Sequence, residues 1–93
     1  MADHEAATAD ALMAALQDRL PAGLAGVVRI SLDGGEFEHA IRDMLKAAAE
    51  FSLPIPDQVR AMVVEEYLTG DYVAEYEGWV SEQLARIPRR TAA

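Results

Sequence analysis

Six carboxylates stand between Asp57 and Glu77 (Asp57, Glu65, Glu66, Asp71, Glu75 and Glu77), against a single cation, Arg60, so the stretch carries a net charge of −5. Tyr67, Tyr72 and Tyr76 are interleaved with these acids and Trp79 follows them. Such a surface repels phosphates and attracts a basic protein. Glu65, Glu66, Asp71, Glu75 and Glu77 are the expected charge partners. Tyr76 and Trp79 are the expected apolar anchors, because aromatic side chains carry a large share of interface energy.

The other constellations are weaker. His39 lies three residues after Glu36 and four before Asp43, so one helical face could offer an imidazole and two carboxylates to a metal ion or a proton transfer. The only other histidine is His4, close to the N-terminus, and a solvated helix face accounts for the spacing. Asp71, Glu75 and the Glu65-Glu66 pair lack the loop of a calcium site. Asp33-Gly34-Gly35 could receive an anion at a helix start, but a phosphate loop needs more glycines and a lysine. Ser31, Ser52 and Ser81 have no histidine and acid spaced to activate them. No catalytic, cofactor or metal site is expected, and the chain is read as not an enzyme.

The bulk composition agrees. Ninety-three residues suit one domain with a thin core, since alanine inflates the 52% hydrophobic content. Acidic residues outnumber basic ones 16 to 8, for a net charge of −8. The absence of cysteine removes disulfides and thiolate zinc sites. No apolar run approaches the ~18 residues of a membrane span, and Asp3 and Glu5 stand where a signal peptide would be basic. A soluble, cytoplasmic protein is expected, with no membrane contact.

The elements that must position these residues are mainly helical. Leu12, Leu16 and Leu20 form one stripe of a helix over about residues 3–20, ended by Pro21 and Gly23. From Val27 to Leu32 the apolar residues alternate, which predicts a short strand needing a pairing partner, in this chain or in a second copy. Asp33 is then the expected N-cap of a helix, with Glu36 completing a capping box and Leu32 meeting Phe37 as a staple. Phe37, Ile41, Met44, Leu45 and Ala48 carry that helix to about Phe51. Pro56 opens the next one, buried through Val59, Met62, Val63 and Tyr67. Gly70 and Asp71 separate it from a last helix with Tyr72, Tyr76, Trp79, Val80, Leu84 and Ile87 inward, stopped by Pro88. The fold class is therefore mainly α: a small four-helix domain over 1–93 with one extended segment at about 27–32, and flexible ends at 1–7 and 88–93.

Two family resemblances attach to these landmarks. Leu32-Asp33 before a helix, then Phe51-Ser52-Leu53-Pro54-Ile55-Pro56-Asp57, then Thr69-Gly70-Asp71, resemble the order found in acyl carrier proteins, which are small acidic four-helix domains, over about Leu12 to Leu84. The resemblance implies acidic helices presented to basic partner enzymes. Where that family has Asp-Ser-Leu, with phosphopantetheine on the serine, this chain has Asp33-Gly34-Gly35, so no attachment site remains. From Val27 to Leu68 the order strand, helix, turn, helix is similar in pattern to ribbon-helix-helix regulators. That likeness implies a homodimer paired through Val27 to Leu32, with Arg29 and Ser31 facing DNA. The charge of −8 opposes it, because phosphate neutralisation by Lys and Arg supplies much of such affinity.

The sequence thus points to a small acidic binding protein for a basic protein partner, of carrier-like accessory, immunity, antitoxin or inhibitor type. The alternative is the dimeric DNA-binding regulator.

Overall fold

The computed structural model describes residues 2–69 and 73–90, with side chains from His4 to Thr69 and from Gly78 to Arg89. The described elements are five helices and two short extended pieces: α1 (Ala2–Leu16), α2 (Ala22–Asp33), α3 (Phe37–Glu50), β1 (Ile55–Pro56), α4 (Asp57–Leu68), α5 (Val73–Arg86) and β2 (Arg89–Arg90). The mainly helical class expected from the apolar spacing is what forms. Helix α3 packs against α1, α2 and α5, while α4 closes the other side against α1 and α5. Ala40, Ile41, Met44, Leu45 and Ala48 are wholly buried at helical spacing, so α3 supplies the middle of the core. No described helix is long and apolar enough to cross a membrane.

Residues 27–32 correct the expectation of a strand: they are the second half of α2. The alternation of Val28, Ile30 and Leu32 coexists with a helical spacing, and Val28 and Ser31 are the buried pair, with Leu24 and Leu32 partly buried beside them. A lone strand would leave its backbone groups unpaired, whereas a helix pairs them within itself. The ribbon of the DNA-binding alternative, and homodimer pairing through strands at Val27 to Leu32, lose their structural element. Arg29 is exposed on this helix and Ser31 is buried in it.

The turn after α2 is a second correction. Asp33 does not cap α3; it is the last residue of α2, and α3 begins behind Glu36. Gly35 adopts φ 76°, the Glu36 amide donates to the Ser31 carbonyl (2.8 Å) and the Gly35 amide donates to that of Leu32 (3.1 Å). Together these form a Schellman motif, in which a residue of left-handed conformation closes the helix. The glycine doublet that suggested a helix start is a helix stop. Helix α3 ends in a similar way, with the Leu53 amide donating to the Ala48 carbonyl (2.9 Å), but there the left-handed residue is Ser52 at φ 55°.

Described residues near both ends belong to secondary-structure elements. Residues 2–7, expected to be loose, are the first turns of α1. Beyond Ile87, Pro88 accepts a backbone hydrogen bond from Ile55 (3.3 Å), and β2 pairs in parallel with β1, Ile55 opposite Arg89. Among the described residues the extended pieces lie there, at residues 55–56 and 89–90.

Candidate functional site

Helix α4 carries the described part of the acidic stretch. With Val59, Val63 and Tyr67 turned into the core, Asp57 and Glu65 are left on the outer side, Glu65 with 72% of its side chain exposed. They rim a shallow groove of about 410 Å³ that also touches Ala61, Val64 and Thr69. An adjoining groove of about 520 Å³ between α4 and α5 shares Val64 and is lined by Leu68, Leu84 and Ala85. Arg60 and Arg89 stand at both.

Arg60 does not neutralise this rim. Its two terminal nitrogens donate to the Leu84 and Ile87 carbonyls at 2.7 Å each, so the guanidinium closes the negative end of α5. Burial lowers its pKa first, the nearby Arg89 charge adds to that, and Asp57 opposes both. Its Nε is buried without a partner. Arg89 is the cation that turns outward, 3.5 Å from the Asp57 carboxylate.

Glu66 has a different setting from Glu65. Only 11% of its side chain is exposed, and it lies 2.5 Å from Nδ1 of His4 on α1. Nε2 of the same imidazole is 3.8 Å from Glu65. Next to His4 on α1, Glu5 accepts a hydrogen bond from the Tyr67 hydroxyl (3.0 Å). Burial raises the pKa of that hydroxyl, and the carboxylates of Glu5, Glu66 and Glu38 raise it further. Glu66 and Tyr67 therefore belong to a polar seam between α1 and α4. In the sequence these contacts span 62 positions, and no local pattern announces them.

Trp79 is separated from this rim. It is half-buried against α3, with the Arg42 guanidinium 5.6 Å from its ring centroid, within cation–π range. It lines a cavity of about 460 Å³ with Arg42, Lys46 and Arg86 and with the carboxylates Asp43 and Glu50. Trp79 lines that cavity and neither of the two grooves along α4. His39 lies 3.6 Å from Asp43 on the exposed side of α3. Asp71 lies outside the described residues, as do the side chains of Glu75, Tyr76 and Glu77. Among the described residues no group of three or more His, Asp or Glu side chains is placed to hold a metal ion.

Compared with protein-family models, with curated proteins and with solved structures, the chain has no significant match.

Proposed function

We propose that this chain is a small acidic binding protein of the cytoplasm, not an enzyme, that engages a basic protein partner through the outer side of α4 and α5. An inhibitor, antitoxin or immunity protein has these properties, and so does a carrier-like accessory that presents acidic helices without a prosthetic group. The observation that carries the reading is the inward turn of Arg60. The one cation in the acidic stretch is committed to two backbone carbonyls, and two carboxylates, Asp57 beside Arg89 and the exposed Glu65, rim a groove floored by Ala61 and Val64. An apolar centre within a charged margin is the usual anatomy of a protein interface, and the charge chooses and steers the partner. A partner lysine or arginine could lay its methylenes on Ala61 and Val64 and reach Glu65 with its charge.

The test is a pull-down with the immobilised chain at low ionic strength, repeated with Glu65→Lys and at high salt. The expected result is a basic protein that elutes with salt and is held at least tenfold more weakly by the variant, while the melting temperature is unchanged. A partner held equally by the wild type and Glu65→Lys, in low and high salt, would sink the assignment. Glu66→Lys is unsuitable here, because it breaks the contact with His4.

A further inference from the structure

We propose that α2 is the interface of a homodimer, in which two copies of the helix pack antiparallel about a two-fold axis passing between Gly26 and Val27. Four exposed residues, Gly23, Gly26, Val27 and Ile30, recur at helical spacing and share one side of α2, turned away from the buried Val28 and Ser31. Ile30 is 73% exposed and Val27 48%, and among the described residues they are two of the three large apolar side chains left in solvent. A Cβ placed on Gly23 or Gly26 would meet nothing within 4 Å, so the backbone there is open to close approach.

The order of these residues selects the occupant. In an antiparallel pair centred between Gly26 and Val27, residues whose numbers lie equally far from that centre face each other. Val27 then falls on Gly26 of the second copy, and Ile30 on its Gly23. Each large side chain lands where the other helix has none, and the two-fold operation repeats every contact. A surface that complements itself in this way fits a second copy of the same chain.

Charge points to the same occupant. The chain carries −8, yet from Pro21 to Leu32 its only charged side chain is Arg29, so two copies can meet here without opposing carboxylates. Helix α2 has no acidic residue in its first turn, its N-cap Pro21 provides no side-chain hydrogen bond, and Asp33 sits at its negative end. Antiparallel pairing brings Asp33 of each copy toward the positive end of the other helix, a favourable exchange. A 12-residue helix covers less than the roughly 800 Å² per partner of a standard interface, so the dimer dissociates on dilution.

Sedimentation equilibrium across a wide dilution series tests this. The mass should rise from the monomer's 10.1 kDa toward twice that value as concentration increases. Ile30→Asp should hold the chain monomeric throughout, and Gly26→Leu should do the same without lowering the melting temperature, since it fills space open in the monomer. Because the chain has no cysteine, Val27→Cys should cross-link on mild oxidation, whereas Phe51→Cys, at an exposed site outside α2, should not. A wild type monomeric at every concentration overturns the proposal, as does a dimer that survives both Ile30→Asp and Gly26→Leu. A chain monomeric alone whose Ile30→Asp variant loses a different protein would also overturn it and assign α2 to that protein.

Discussion

In α3 seven of 14 residues are buried, whereas in α2, the more apolar helix by composition, Val28 and Ser31 are the buried residues among 12. The two helices are joined by three residues and packed on each other, so the difference is not one of location. Helix α3 alternates an apolar stripe with Glu38, His39, Arg42, Asp43 and Lys46, and it has three helices to receive the stripe. Helix α2 is apolar almost all round and leans chiefly on α3, so its second apolar side is left over. Burial follows the arrangement of apolar residues and the number of neighbours, not their total. In α2 the apolar surface exceeds what the neighbouring described elements cover, and Val27 and Ile30 stay exposed.

The largest expected effect breaks the comparison if it fails. Leu45→Ala should cost about 2–5 kcal/mol, because it leaves a cavity in a close-packed core. Ile30→Ala, measured at concentrations where the chain is monomeric, should change stability by less than about 0.5 kcal/mol. Urea unfolding of both variants decides it, and similar losses would mean that α2 is held as tightly as α3.

A second test sharpens the comparison by asking what a polar partner adds to burial, using Tyr67. Tyr67→Phe should cost about 1 kcal/mol near neutral pH, through loss of the hydrogen bond to Glu5. In the folded chain burial raises the hydroxyl pKa above its ordinary value near 10, so the unfolded chain releases this proton first. The stability contributed by Tyr67 is therefore complete below about pH 10 and is lost as pH rises above it. Tyr67→Phe should flatten the fall in melting temperature above pH 10, and an unaltered alkaline slope would show that this buried hydroxyl does not drive it.

The smallest effect compares the two helix ends. Gly35 and Ser52 hold the left-handed position after α2 and α3 respectively, and only glycine does so without steric cost. Ser52→Gly should stabilise by about 0.5–1 kcal/mol and Gly35→Ser should destabilise by about 1 kcal/mol. Thermal denaturation of the two variants would expose any asymmetry in how firmly these ends are held.

Much of this was legible in the residues themselves. The stripes through Leu12 and Leu16, through Ile41, Met44 and Leu45, and through Val59, Val63 and Tyr67 are buried as their spacing requires. Pro56 and Pro88 mark the start of α4 and the stop after α5. The segment 27–32 misled because Val28, Ile30 and Leu32 satisfy two periods at once, and the choice between them rests on whether a strand partner exists. Asp33-Gly34-Gly35 misled because an aspartate before glycines reads equally as the opening of one helix or the close of another. Its meaning depended on α2 being a helix.

For the acidic surface, sequence alone established the excess of carboxylates, the single cation among them and the amphipathic helices that hold them, since charge and local periodicity are written in neighbouring positions. It could not sort them. Folding brought His4 and Glu5 across 62 positions to Glu66 and Tyr67, turned Arg60 onto the last carbonyls of α5, and set Trp79 beneath Arg42 on α3. Those assignments depend on which helices become neighbours, and that is settled by burying the whole apolar surface at once, not by any one stretch of chain.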